Sequence, residues 1–311
     1  MRCSANGAKR ILLSASIVLV SDSYSQNFEL LTVKSAYYPA QEIEDPRSDG
    51  QIGIREWGVQ LAIPHFIQKA DSTIVIHKIA YGDLRIDAEI GMAPSTTAAT
   101  QRYQNISYNL GLIKGLGAHW LAVVNVQPTL ASDFEEKLSG DDFLLQANAL
   151  LVNSKNEKFS YGFGLAYTTR VGRQIVLPMG LFTYTTHRLD VDIVVPNNLT
   201  ITFKTPQKTM AYGIKAGIDG GVFNTTNDIA SLGVSIDKVG YSRLILAPTV
   251  SAFFFTALRI QLLGGLAAGR RLELLDSQKE VIDWAPKNAP FVGLSLSLTP
   301  STKKTQAPLF N

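Results

Sequence analysis

The chain has 311 residues, of which 46% are hydrophobic and only 18% are charged, and its formal net charge is +3. This charged fraction lies below the usual quarter. The near-neutral balance excludes a nucleic-acid-binding footprint, and the single cysteine excludes a disulfide framework.

Residues 1–25 are predicted to be an export signal. Three basic residues precede an apolar run of ten residues that starts at Ile11, which is too short for a membrane-spanning helix of about 20 residues. A small-x-small pattern ends at Ser25 and predicts cleavage before Gln26. Removal of the signal takes away Cys3, three basic residues and one acidic residue, so the net charge falls to +1.

The rest of the chain, residues 26–311, alternates between apolar and polar side chains. This period of two is typical of strands with one apolar face. We predict a single domain of fourteen strands with a short polar tail from Thr299 to Asn311. Twelve strands is the alternative if the turns after Thr186 and Pro196 are absent. The predicted strands are centred on residues 28–38, 57–63, 74–90, 105–112, 120–126, 143–149, 159–169, 175–186, 187–196, 199–204, 210–219, 244–254, 258–265 and 292–298.

The fold class that fits this pattern is all-β, a closed antiparallel up-and-down transmembrane β-barrel. After the signal there is no apolar run of about 18 residues, and closure of a sheet is the other way to satisfy the backbone in lipid. The alternative is a soluble two-layer sandwich, whose strands also alternate. Aromatic residues near strand ends and small residues on the opposite faces favour the barrel.

Loop lengths predict the orientation in the membrane. Residues 39–51, 129–141 and 273–287 form long polar connections, whereas residues 114–117, 153–158 and 255–257 form short ones. Single-chain bacterial barrels have short periplasmic turns and long external loops. We therefore expect an outer-membrane location with both termini in the periplasm and the long loops outside the cell.

The stretch from residue 159 to residue 196 carries a more specific pattern. A strand that alternates with glycine is followed by Leu177-Pro178, which opens the next strand, and a hydrophobic strand closes at Val195-Pro196. This pattern resembles an uncharacterised outer-membrane β-barrel family common in Bacteroidota (domain of unknown function 6268). The resemblance implies the barrel and its location, and it implies no activity.

No catalytic or metal site is predicted, and we expect neither enzymatic activity nor a cofactor. His65 and His187 are assigned to turns, and His77 and His119 to strands, without the spacing of a dyad or triad. Residues of type His, Cys, Asp and Glu do not cluster as metal ligands do.

Charged residues on the polar faces are predicted to line the lumen. The sites are Glu56, Arg85, Asp87, Glu89, Arg188, Asp190, Asp192, Lys215, Asp219, Arg243 and Arg259. Both signs occur in near balance, which favours ion pairs over a selective ring of one sign.

Two classes of function are compatible with such a barrel. The first is a passive channel or a transport barrel for small-molecule solutes. The second is a non-transporting structural, receptor or adhesin-type outer-membrane protein. The predicted partners are outer-membrane lipid and the barrel-assembly and export machinery.

Overall fold

The computed structural model describes residues 29–44, 49–67, 73–92, 95–117, 119–156, 158–170, 173–207, 209–225, 228–229, 234–255, 257–276 and 281–299. The predicted export signal lies outside these residues, as does the predicted tail beyond Thr299. In the described part of the chain, no helix has the length and apolar character needed to cross a membrane.

Strands make up nearly all of the described chain. Their bounds are β1 Leu31–Glu42, β2 Asp49–Ile67, β3 Thr73–Met92, β4 Ser95–Gly115, β5 Trp120–Ser132, β6 Phe143–Asn156, β7 Phe159–Arg170, β8 Arg173–Thr185, β9 Leu189–Val195, β10 Asn198–Lys204, β11 Met210–Asn224, β12 Asp228–Ile229, β13 Val234–Phe254, β14 Leu258–Asp276, β15 Val281–Trp284 and β16 Ala289–Leu298. A 3-10 turn, Gly140–Asp142, precedes β6.

Fourteen of these strands close into an antiparallel ring, which confirms the predicted fold class and strand count. Neighbours in sequence pair from β1 to β11, β11 then pairs with β13, and β13 with β14. Strand β16 closes the ring between β14 and β1, with Leu31 opposite Leu298. The short β12 and β15 only extend the edges of β13 and β14. Turns at residues 186–188 and 196–197 separate β8, β9 and β10.

The outer face of the ring carries a belt of exposed apolar side chains. Trp120 begins β5, and Phe143 of β6 lies opposite Leu130, ten residues farther along β5. Ten residues of a strand tilted by about 40° rise roughly 25 Å, the height of the apolar band of a membrane barrel. Exposed aliphatic residues cover the outer face between the levels of Trp120 and Phe143, including Leu61, Ile79, Ile106, Leu165, Ile214, Leu246 and Leu294.

The two ends of the barrel differ. At the end where β1 begins and β16 ends, here called the end of the termini, consecutive strands are separated by only two to five residues. At the opposite end, here called the far end, β2, β3, β4, β13 and β14 continue well past the belt. The loops predicted at 39–51, 129–141 and 273–287 are therefore shorter than expected, because strands occupy much of their length.

The inner face of β7 must approach β6 closely, and this requires glycine. A Cβ added to Gly164 would collide with the carbonyl oxygen of Ala149 and would lie 2.8 Å from the Cα atom of Leu150. Backbone atoms of a paired strand cannot move aside without disturbing the ladder.

We predict that Gly164→Ala lowers the free energy of unfolding by about 1–3 kcal/mol, the usual cost of overpacking. Gly140→Ala is the control, because a Cβ there has no atom within 4 Å. Urea unfolding of the refolded barrel in lipid vesicles measures both. Equal stability of the two variants would contradict the close approach.

Candidate functional site in the crown and lumen

The far end of the barrel is narrower than the ring below it. Strand β11 ends by pairing with the end of β5, where Asn224 lies opposite Ser132 in a parallel bridge. The backbone N–H of Asp133 donates to the carbonyl of Asn224 across the same junction, at 3.2 Å. Because β5 and β11 pair directly, β6–β10 take no part in the wall at this end. The wall there is a smaller ring of nine strands, β1–β5, β11, β13, β14 and β16. We call this nine-strand far end the crown.

Side chains around the junction reinforce it. The Thr225 hydroxyl donates to Asp133 at 2.8 Å, and the Asn224 amide donates to Asp142 at 3.1 Å. Asp142 also accepts the backbone N–H of Ser139 at 2.6 Å, completing the capping box of the 3-10 turn. Burial alone would raise the pKa of the Asp142 carboxyl, but these hydrogen bonds outweigh it and hold the pKa below its usual value.

The interior of the crown is a packed apolar core. Each of the nine strands contributes at least one buried side chain to it, and Leu144 of β6 packs against its edge. Tyr103 of β4 and Phe223 of β11 contact each other inside the crown beside the β5–β11 junction, with ring centroids 5.4 Å apart. The principal members are Tyr38, Ile52, Ile54, Leu84, Ile86, Tyr103, Phe223, Val239, Tyr241, Leu272, Leu274, Trp284 and Phe291.

One buried arginine ties four strands together at the base of this core. Arg243 of β13 lies 2.5 Å from Glu56 of β2 and 2.6 Å from Asp219 of β11. Its guanidinium carbon also lies 4.1 Å from the ring centroid of Tyr38 and 5.0 Å from that of Tyr241. A guanidinium suits this position because its planar group can serve two carboxylates and two aromatic faces at once.

A second buried arginine enters the crown because of a bulge in β14. Gly269 has φ of +54°, and the pairing of β13 with β14 shifts register beside it. The shift turns Arg270 inward, where it donates to the carbonyl of Lys287 at 3.2 Å and to that of Ile52 at 3.2 Å. Since Ala267 before the bulge also faces inward, a strict period of two would assign Arg270 to the outside.

The lumen below the crown is polar at its middle and partly apolar near the termini. Asn125 donates to Asn148 at 2.8 Å, and Asn109 donates to Gln127 at 3.3 Å. Nearer the termini, β3–β6 and β8 contribute inward-facing side chains to a second buried apolar cluster. Its members are Ile74, Ile76, Ile113, Leu121, Val123, Leu150, Val152 and Leu181. The interior is therefore less polar than the alternation suggested, because strands such as β5 carry apolar residues on both faces.

Seven of the eleven residues predicted to line the lumen face inward. Besides Glu56, Asp219 and Arg243, the buried Asp190 pairs with Lys204 at 2.6 Å. Asp192 is buried on β9, and Lys215 faces inward from β11. Arg259 pairs with Glu29 beside the termini. The structure thus brings three of the seven into one cluster and distributes the other four along the wall.

The other four predicted residues lie elsewhere. Arg85, Asp87 and Glu89 share the outer face of β3 with Ile79, whereas Leu84 and Ile86 on the opposite face are buried in the crown core. The apolar face of β3 was expected on the outside of the barrel, but past the belt it packs into the crown core and the charged face lies outside. Arg188 is exposed in the turn before β9.

Sequence reasoning missed Arg55 and Arg102, which lie on the outer face beside Arg85. Arg55 lies opposite Arg85, and Arg85 lies opposite Arg102 in the neighbouring strand. Arg55 pairs with Asp87 at 2.9 Å, while Asp83 is enclosed between Arg85 at 3.2 Å and Arg102 at 2.5 Å. The register between strands would have revealed this cluster, but the alternation within each strand does not.

The four histidines lie apart in the described structure. His77 faces outward from β3 and contacts the Tyr108 hydroxyl at 2.6 Å. His65 lies in β2 and His119 in the turn before β5, so the assignments of these two to a turn and a strand are reversed, whereas His187 lies in a turn as predicted. Among the described residues, no three of type His, Cys, Asp or Glu form a group that could hold a metal ion.

A cleft of about 510 Å³ lies beside the crown, between β6–β8 and the ends of β11 and β13. Phe143, Leu145 and Val222 supply apolar surface, and Asp141 and Lys238 lie 3.5 Å apart at its edge. The cleft exists because the β9–β10 hairpin is short and β11 leans towards β5 above it.

A family model described as a domain of unknown function (DUF6268) matches residues 80–285, more than half of the chain. A search of the curated proteins found no match.

Among solved structures, the chain is similar to three proteins at low sequence identity. The translocator domain of autotransporter NalP from Neisseria meningitidis is 12% identical, with a TM-score of 0.30 and coverage of 93% of this chain and 94% of that one. The transport unit of autotransporter AIDA-I from Escherichia coli is 9% identical, with a TM-score of 0.36 and coverage of 96% and 97%. BauA, the ferric preacinetobactin receptor from Acinetobacter baumannii, is 8% identical, with a TM-score of 0.26 and coverage of 88% and 61%.

We predict that Arg243→Met lowers the free energy of unfolding by about 3–5 kcal/mol, because it removes the arginine shared by two carboxylates in a buried site. Adding Glu56→Gln should recover part of the loss. Arg271→Met is the control: Arg271 pairs with Asp283 at 3.1 Å on the exposed surface, and its loss should cost about 0–1 kcal/mol. Urea unfolding in lipid vesicles measures all three, and similar losses for Arg243→Met and Arg271→Met would contradict the role of Arg243.

Proposed function

The chain belongs to the DUF6268 family of unknown function, and we propose that it is an integral outer-membrane barrel that is closed to diffusion and acts through its crown. The observation that carries this proposal is the packed core of the crown, to which all nine strands contribute. A barrel of this kind would serve as a receptor or a structural element of the cell surface.

Membrane insertion is supported by the belt of apolar side chains on the outer face. Lipid accepts only elements whose backbone groups are satisfied internally, and the fourteen-strand ring satisfies this condition by closing on itself. The height of the belt, roughly 25 Å, matches the apolar band of outer-membrane barrels. These features favour an outer-membrane location.

The orientation that we propose puts the termini in the periplasm and the crown outside the cell. The strands at the end of the termini are separated by only two to five residues, and the strands extend farthest at the other end. Single-chain bacterial barrels share this asymmetry, with short turns on the periplasmic side.

The passive-channel hypothesis requires an aqueous path along the barrel axis. Tyr103 and Phe223 meet inside the crown, and Arg243 links β13 to β2 and β11 just below them. Water and ions would have to cross this packed apolar layer. The crown therefore favours the non-transporting class over the channel class.

We predict that the refolded protein gives no steady conductance steps in a planar lipid bilayer. Tyr103→Ser combined with Phe223→Ser removes the two facing rings and should produce discrete steps, because water can enter the polar gap that is left. Ile79→Ser combined with Ile106→Ser is the control on the lipid face, where both side chains are exposed. Regular channel steps from the unmodified protein would contradict the proposal.

A further inference from the structure

We infer that the arginine row on the outer face of β2–β4, made of Arg55, Arg85 and Arg102, binds the phosphate of an anionic membrane lipid. The three residues lie opposite one another in the strand register. Each of the three side chains is about half exposed to the surroundings of the barrel. The inference rests on the membrane placement proposed above.

The row lies at the edge of the apolar belt. Trp57 lies two residues from Arg55 along β2, and its ring centroid is 5.2 Å from that of Tyr81. The Tyr81 hydroxyl accepts hydrogen bonds from Gln104 at 2.6 Å and from Arg102 at 3.5 Å. Two residues of a strand span about 7 Å, so the guanidinium groups lie at the height of lipid headgroups just above an aromatic girdle.

The charges within the row are only partly compensated. Like charges directly opposite each other on neighbouring strands repel, so three adjacent arginines need anions. Asp83 lies buried beneath Arg85 and Arg102, and Asp87 pairs with Arg55. In the part of the chain that the structure describes, two carboxylates thus serve three guanidinium groups. Glu89, farther along β3, accepts a hydrogen bond from Gln51 at 2.5 Å.

The guanidinium groups retain donors that these carboxylates do not use. The contacts to Asp83 and Asp87 use Nε of all three arginines together with Nη2 of Arg55 and Arg102. Among the described residues, both terminal nitrogens of Arg85 and Nη1 of the other two have no hydrogen-bond partner. Paired N–H groups in a fixed plane match the oxygens of a phosphate, which arginine binds in a bidentate manner.

The structure also offers a matched control. Arg271 of β14 is exposed to the same degree as the row and pairs with a single carboxylate, Asp283, at 3.1 Å. It lies past the bulge in the far part of β14, in register with Ser242 rather than with another arginine. Its replacement removes one exposed arginine from the outer surface without touching the row.

The experiment measures lipid binding to the protein refolded in detergent micelles, by native mass spectrometry. The probe is lipid A with both phosphates, and the comparison lipid is the same molecule after enzymatic removal of the phosphates. We expect the unmodified protein to retain the phosphorylated lipid, and Arg85→Gln to weaken binding about tenfold, the loss of one charge-assisted hydrogen bond. Arg271→Gln should bind as the unmodified protein does.

A second variant removes the arginines of the row together with their carboxylates, so that no buried charge is left unpaired and the protein can fold. Arg85→Gln leaves Asp83 paired with Arg102, but replacing the whole row would strand two carboxylates. The variant that combines Arg55→Gln, Arg85→Gln and Arg102→Gln with Asp83→Asn and Asp87→Asn makes the row neutral while keeping its shape, and it should lose the preference for the phosphorylated lipid.

Equal binding of the phosphorylated and dephosphorylated lipids to the unmodified protein would overturn the inference. So would unchanged binding to the neutral variant, or displacement of the lipid by inorganic phosphate at equal concentration, which would indicate a site for the free anion. In parallel, the same proteins are refolded into lipid vesicles, and protection of the belt from protease measures their insertion. A protein that inserts but does not discriminate refutes only the inference, whereas a protein that fails to insert refutes the membrane placement as well.

Discussion

The structure depends on one constraint, that every backbone group of a wall facing lipid must be bonded within the wall. The ring of fourteen antiparallel strands meets it without an edge, because β16 joins β14 to β1. Once the wall is closed, the alternation of side chains decides which face meets lipid and which meets the lumen. The apolar belt and the polar middle of the lumen both follow from that closure.

The same constraint relaxes beyond the belt, and the fold changes there. Water can satisfy the backbone at the far end, so β6–β10 need not continue, and β11 can leave β10 to join β5. A ring of nine strands encloses less space than a ring of fourteen, and apolar side chains can fill it. The apolar faces of β2 and β3 therefore turn inward in the crown, and the charged faces that carry Arg55 and Arg85 turn outward.

Sequence reasoning reached the fold class and the number of strands because both depend on local alternation. The inward positions of Glu56, Asp190, Asp219 and Arg243 followed from the same rule. The rule failed for Arg85, Asp87 and Glu89, because the apolar face of a strand lies outside within the belt but inside beyond it. It also could not foresee Arg270, since one bulge at Gly269 changes the phase of β14. The junction between β5 and β11 is a contact between distant segments, and no period within either strand encodes it.

The most direct test of the crown is a disulfide between Ser132→Cys and Asn224→Cys, the two residues that face each other where β5 meets β11. The only natural cysteine of the chain is Cys3, so a protein refolded from residue 26 onwards carries no other thiol. The account predicts that the pair oxidises almost completely in the folded barrel and leaves its strand content unchanged. A folded barrel in which the two thiols stay reduced under mild oxidation would contradict the nine-strand crown.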